Sequence, residues 1–353
     1  MSRWCLSLLI PTIVLPAVAH GQADVARAEM IAVSALKPPG TIVAKVAGKP
    51  VDVAAVNRLV KVALHGRPVS KAALPGLEAQ ALSQVINRRL VELYLDSQKV
   101  SVTDAEIDKA IAEREKEMQK QGTDLAVIRA ESGFTAAAYR DEVKWELRRN
   151  KFLRGVLTDE QLEKYFDAHR QQFDGTELRV SHILLRPDGA LTPDEVDSLS
   201  ARADSIRDEI IGDITTFEDA AKKYSSGPSR EKGGDLGFIT RHGVMPEEFA
   251  KEAFALDKDE ISPPVTTHLG VHLIKCTELR PGKNTWRDVR KELVPAATNS
   301  VFAQLAAGMR EKAEIDYTGA MAHIDPETGN LVEATDAAAD KDAADKDSSA
   351  EGK

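Results

Sequence analysis

The sequence predicts an α+β chain: a mainly helical region, then one small four-stranded sheet with helices packed on it, then a helix that returns to the first region. Three observations predict this order. Apolar residues keep a helical spacing through most of the stretch from Thr41 to Val156. From about residue 176 to 281, runs of alternating apolar and polar residues take turns with runs of helical period. Beyond residue 280, Trp286, Val289, Leu293, Val301, Leu305 and Met309 form an amphipathic stripe with no partner face nearby, and the long helices of the first region are the surface to cover it.

The first region, residues 41–175, opens with an extended piece, Ile42–Val46, closed by a turn at Gly48-Lys49-Pro50. Val53, Val56, Val60 and Ala63 then keep helical spacing, as do Leu82, Ile86, Leu90, Leu93 and Tyr94. Thr103-Asp104-Ala105-Glu106 is a capping box that starts a helix with Ile107, Ile111 and Met118 on one stripe, and Gly122 stops it. Phe134 to Leu153 carries Tyr139, Val143, Leu147 and Phe152 on another. A second box, Thr158-Asp159-Glu160-Gln161, starts a helix that presents Leu162, Tyr165 and Phe166 and ends near Gly175, so the link to the next region is short and structured.

In residues 176–281, Leu178, Val180, His182 and Leu184 share one face of a first strand. Thr192-Pro193-Asp194-Glu195 caps a helix bearing Val196, Leu199, Ala203, Ile206 and Ile210, and two shorter helices span Phe217–Tyr224 and Pro246–Phe254. Leu236–Thr240, Val265–Thr267 and Val271–Thr277 are the other three strands. Residues 283–317 supply the returning helix. From Val332 to the end, residues 332–353 are rich in Asp, Ala and Lys and poor in apolar bulk; such a segment cannot offset its ordering entropy, and disorder is expected.

Composition narrows the function. The net charge of -9 argues against a nucleic-acid partner, and 353 residues at 42% hydrophobic content are long enough for two compact domains. Residues 1–23 read as a cleaved export leader: Arg3 is the basic start, Leu6 to Val18 the apolar stretch, and Ala17-Val18-Ala19 or Gly21-Gln22-Ala23 the small-residue cleavage site. Pro11 and Pro16 interrupt that stretch and leave it short of the ~20 apolar residues a spanning helix needs, so no stable membrane span is expected after cleavage. The expected location is periplasmic or secreted. After cleavage Cys276 is the one thiol left, in strand parity with His272 and Ile274, and reads as buried filler.

Three segments carry a more specific signal: Val180-Ser181-His182-Ile183-Leu184-Leu185, Gly233-Gly234-Asp235-Leu236-Gly237-Phe238, and Gly270-Val271-His272-Leu273-Ile274. With Met245 and Phe249 between the last two, they resemble the parvulin family of peptidyl-prolyl isomerases over roughly residues 177 to 280. Helices before and after such a unit resemble the SurA type of periplasmic chaperone. The resemblance implies a four-stranded antiparallel sheet inserted in a mainly helical chaperone domain, with no cofactor and no metal. It also implies unfolded or nascent exported proteins with X-Pro bonds as partners.

An X-Pro amide rotates against a resonance barrier of ~18–20 kcal/mol without any bond being broken, so a catalyst must hold the proline in an apolar slot and favour the twisted amide. The resemblance assigns the slot to Leu236, Met245 and Phe249, backed by Phe254; plain core is the lesser alternative for the same residues. It places His182 and His272 in a hydrogen-bonded network below the amide, with Thr267 at a hydroxyl position, in a tuning or a supporting role. Active parvulins usually carry Cys or Asp where this chain has Ser226 or Gly227, so slower turnover is expected, and an acid introduced at either position is expected to raise it. A positive φ at Gly227, ahead of Pro228, is the structural complication. The rival function is a holdase whose parvulin unit binds peptides without catalysis. His268 and His272 are four apart but straddle a glycine in a strand pattern, so no metal site is expected there.

Overall fold

The computed structural model describes residues 30–31, 37–64, 67–187, 189 and 192–335. The expected leader, residues 1–23, and the tail from residue 336 lie outside the described residues. The described chain divides into two compact units, one made of the residues up to Leu157 together with those from Thr298, the other of Thr158–Ala297.

The first unit begins with β1 (Met30–Ile31), β2 (Ile42–Val46), β3 (Lys49–Asp52), α1 (Val53–Leu64), β4 (Val69–Ser70), α2 (Leu74–Ser97), α3 (Asp104–Lys120), α4 (Leu125–Glu131) and α5 (Ala136–Val156). Thr103 makes the capping box that its sequence implies: its hydroxyl accepts from the Glu106 amide at 3.2 Å and the Glu106 carboxylate accepts from the Thr103 amide at 2.7 Å. The turn between β2 and β3 is Ala47-Gly48, not Gly48-Lys49-Pro50, and Ala47 and Gly48 both have positive φ. Pro50 therefore lies in β3, an edge strand, where a missing N–H is tolerated. The seven-residue α4 is too short to display a period; Asp124 starts it by accepting from the Ala126 amide at 2.7 Å.

The second unit continues with α6 (Asp159–Ala168), α7 (Arg170–Phe173), β5 (Glu177–Leu185), α8 (Pro193–Ile211), α9 (Phe217–Tyr224), β6 (Asp235–Thr240), α10 (Glu247–Ala253), β7 (Val265–Thr267) and β8 (Gly270–Arg280). The strands form one antiparallel sheet in the order β6-β5-β8-β7. On one face Ile183, Leu185, Val271 and Leu273 pack against Leu199, Ala203 and Ile206 of α8 and Phe217 of α9. On the other, Leu178, Val180, Ile274 and Cys276 pack against Phe249 and Phe254. Cys276 is fully buried there, and burial raises its thiol pKa, as befits an inert filler.

This unit takes in the segments on both sides of the sheet region because they are bonded to one another. The Gly282 amide donates to the Thr176 hydroxyl at 3.1 Å, the Asn284 amide to the Asp174 carbonyl at 2.9 Å, and Arg290 pairs with Asp159 at 2.8 Å. The returning helix is shorter than its stripe suggests. α11 (Arg290–Arg310) starts in the second unit, where Trp286 and Leu293 are buried, and ends in the first.

Within the first unit Phe302, Leu305 and Met309 of α11 pack on the core formed by Val56, Val60, Leu82, Ile86 and Leu90. β9 (Ile315–Tyr317) then pairs antiparallel with β2, completing a sheet of order β3-β2-β9. A final hairpin, β10 (His323–Ile324) and β11 (Leu331–Val332), reaches into the residues where disorder is expected from the composition. No helix among the described residues is long and apolar enough to cross a membrane.

Candidate functional site

His182 and His272 lie on the central strands β5 and β8. The register pairs His182 with Ile274 and Leu184 with His272, which makes the two histidines diagonal neighbours on the same face of the sheet. Their Nδ1 atoms are 3.3 Å apart, and the Thr267 hydroxyl lies 2.8 Å from His272 Nε2. Phe249 on α10 presents its ring edgewise to both imidazoles, with centroids 6.0 Å from His182 and 5.3 Å from His272.

The proton positions follow from donors and acceptors. The Thr267 oxygen already accepts from the Leu269 amide at 3.1 Å, so its O–H is free to donate to His272 Nε2. His272 then carries its proton on Nδ1 and donates to His182 Nδ1, which leaves the His182 proton on Nε2. That Nε2 is buried and has no hydrogen-bond partner among the described residues. Burial, helped by the Arg186 charge, lowers the His182 pKa to about 4; burial, then His182, Arg186 and His268, lowers that of His272 to about 3. Both rings are neutral at physiological pH, so the chain Thr267–His272–His182 is a polar prop with a fixed direction, not a charged pair.

The glycine-rich segment exists to hold this prop. The His182 amide donates to the Gly234 carbonyl at 3.0 Å, Gly234 has φ +87°, and a Cβ on it would lie 2.4 Å from the His182 carbonyl oxygen. No other residue type fits there.

The structure places the other expected residues as follows. Phe249 and Phe254 are buried and belong to the core on this face, while Leu236 and Met245 are half-buried at its margin. Leu236 and Met245 thus offer apolar surface at the margin of that core, whereas Phe249, 1% exposed, is core itself and not the substrate-facing residue expected from the sequence. An Arg241–Glu247 ion pair at 2.9 Å braces the loop that carries Met245. Ser226 is exposed and its amide donates to the Leu184 carbonyl at 2.7 Å. Ser225, which sequence reasoning passed over, is the buried serine: its hydroxyl accepts from the amides of Leu184 at 3.1 Å and Gly227 at 3.2 Å, and so ties the 225–227 loop to β5.

Gly227 departs from its sequence expectation. It is not among the glycines with positive φ. A Cβ at this position would lie 2.9 Å from His182 Nε2, so the imidazole fills the volume that a side chain at residue 227 would take. No signal in the sequence links these two residues, which are 45 positions apart in the chain.

Replacing Thr267 by Val removes the donor that fixes the direction of the chain. The expected cost is about 1 kcal/mol of stability, with a severalfold lower kcat at unchanged KM. Unfolding and steady-state kinetics of the variant check this; an unaltered kcat rejects the directional role.

Comparison with known proteins gives this arrangement its class. Residues 182–278 match the PPIC-type PPIASE domain and residues 1–153 the SurA-like N-terminal domain. Sheet, histidine pair and match together define a parvulin-type peptidyl-prolyl cis-trans isomerase domain, in a chain that also carries a SurA-like domain. The chain is 33% identical over 217 residues to the foldase protein PrsA of Geobacillus kaustophilus (strain HTA426), covering 61% of this chain and 68% of that one. It is 32% identical to foldase protein PrsA of Bacillus subtilis (strain 168), covering 61% and 64%, and 25% identical to chaperone SurA of Alcanivorax borkumensis, covering 62% and 52%. The chain belongs to the PrsA foldase family. It spans somewhat less than two thirds of the length of the Bacillus subtilis relative. Among solved structures, the crystal structure of PrsA from Bacillus subtilis matches at 28% identity over 70% of this chain and 90% of that one, with a TM-score of 0.25. A PpiC-type isomerase domain matches at 25% identity over 31% and 97%, with a TM-score of 0.28.

Proposed function

We propose that the chain is an exported foldase that speeds cis-trans isomerisation of X-Pro bonds in unfolded envelope or secreted proteins. The supporting observation is the half-buried wall of Leu236 and Met245 beside a neutral, internally bonded pair of histidines. A proline ring rests against the apolar wall while its amide turns over a floor that carries polarity but no net charge. The twisted amide loses resonance and gains dipole at its carbonyl; donors and dipoles already fixed around it stabilise that form more than either planar one. In this reading Leu236 and Met245 contact substrate, while His182, His272 and Thr267, with the buried Phe249 packed against both imidazoles, keep the floor rigid.

The test is a protease-free isomerisation assay on the full chain with an unphosphorylated X-Pro peptide. Catalysed relaxation above the buffer rate is the expected result. Met245→Ala should raise KM about threefold with kcat little changed, because a partly exposed apolar contact contributes similarly to ground and transition states. A rate equal to buffer at high protein concentration removes the catalytic reading. The holdase reading, favoured by the lack of an acidic or thiol side chain at Ser226 and Gly227, would then replace it, and suppression of client aggregation without isomerisation is its signature.

A further inference from the structure

A second concave surface lies on the opposite face of the sheet from the histidines. It is a cleft of about 760 Å³ where the end of α8, the start of α9 and the 259–261 segment meet, with Ile210, Ile211, Ile214 and Phe217 as its apolar lining. Ile211 is 56% exposed and Ile214 78% exposed. A single exposed isoleucine is ordinary; two of them continuous with a buried isoleucine and phenylalanine at the mouth of a cleft form a contact surface. The turn between the helices does not need them there, since Gly212 and Asp213, the latter at φ +56°, already make it.

The rim has a sign. Asp213, Asp219, Asp259 and Glu260 stand against Arg207 and Lys275. Arg207 is half-buried and its Nε donates to the Ile261 carbonyl at 3.4 Å. The Asp219 carboxylate accepts from the Thr216 hydroxyl and that of Glu260 from the Asp257 amide, but neither bond neutralises a charge. None of the four carboxylates forms an ion pair among the described residues. An apolar floor below a net negative rim selects a segment that offers apolar side chains flanked by Lys or Arg.

We propose that this cleft is a second client-binding site, which holds an extended basic and apolar segment of an unfolded chain on the far side of the sheet from the proline slot. The site rests on the reading that this protein handles unfolded clients, and it serves that reading by anchoring a client at two points. Weak anchoring on the same unit as a catalytic slot raises the local concentration of the client's prolines without tightening the slot itself.

The experiment uses the full chain and a labelled twelve-residue peptide of Leu, Lys and Ser without proline, so that the slot is not engaged. Fluorescence anisotropy should show saturable binding that weakens as salt is raised. The double variant Ile211→Ser with Ile214→Ser, both at exposed positions, should bind at least tenfold more weakly. The variant Asp213→Asn with Asp259→Asn, where the left-handed backbone suits Asn, should lose most of the salt dependence. The peptide with Glu in place of Lys should bind at least tenfold more weakly than the Lys peptide. Isomerisation of a short X-Pro peptide should stay within twofold of the parent in both variants. Binding unchanged in the isoleucine variant, or equal binding of the Glu peptide, overturns the proposal. So does concentration-dependent self-association by sedimentation that the isoleucine variant abolishes, since the occupant is then a second copy. Absence of isomerase activity with peptide binding as expected would remove the catalytic reading and leave this site standing.

Discussion

Introducing a side chain at Gly227 is expected to slow the enzyme, not to repair it. A Cβ there meets His182 Nε2 at 2.9 Å, and the ring cannot retreat without opening its 3.3 Å contact with His272 or pressing on Phe249. Overpacking of this kind costs typically ~1–3 kcal/mol. If that strain falls on the histidine pair, kcat/KM drops roughly ten- to hundredfold at 1.4 kcal/mol per factor of ten. Gly227→Ala isolates the steric part. Gly227→Asp adds a carboxylate that can accept from the Nε2–H, a gain of ~1.5–3 kcal/mol at best for a bond to a charged group, and so recovers part of the loss. Ser226→Asp, at an exposed position whose amide alone is engaged, should stay within about threefold of the parent. A folded Gly227→Asp enzyme faster than the parent would show that the ring yields freely and that the absent acid does limit turnover.

What the sequence made legible is what local pattern encodes. Thr103, Thr158 and Thr192 each announce a helix start through a hydroxyl that caps the amide three residues on, and each does so. Phe217–Tyr224 and Val265–Thr267 have the bounds that their periods indicate. The histidines fall on one face because strand parity and antiparallel register bring Leu184 opposite His272. Long-range geometry was not legible. That the imidazole of His182 occupies the side-chain space of Gly227 depends on two strands, a loop and a rotamer at once. The half-burial of Met245 against the full burial of Phe249, both apolar and four residues apart, depends on how the loop before α10 runs and on which side of α10 meets the sheet. Short elements without a period, such as α4 and the β10–β11 hairpin, escaped for lack of length.

Acid should weaken the isomerase unit well before its carboxylates are protonated. His182 and His272 stay neutral in the fold down to about pH 4 and about pH 3, whereas in the unfolded chain they take up protons near 6.5. The folded pKa values are depressed, so below 6.5 the unfolded state binds more protons than the folded one and stability falls with pH. The contribution is complete above about 6.5 and is lost as the pH descends through the window toward 4 and 3. At ~1.4 kcal/mol per pH unit per group, the two rings together remove roughly 4 kcal/mol between pH 7 and pH 5. Such a loss is a large part of a domain's usual margin of ~5–15 kcal/mol. Urea unfolding of the full chain at half-unit steps from pH 7.5 to 5, followed by hydrogen exchange at the amides of β5 and β8, measures it. Replacing His182 and His272 together by Gln should lower stability at pH 7 yet flatten this slope by most of its value, because neither amide titrates. The single variants should each remove about half. A parent protein whose stability at β5 and β8 is level across that range, or a double variant that keeps the parent's slope, would mean that the rings are not held neutral by their burial. The polar prop under the slot would then carry charge at the pH of function.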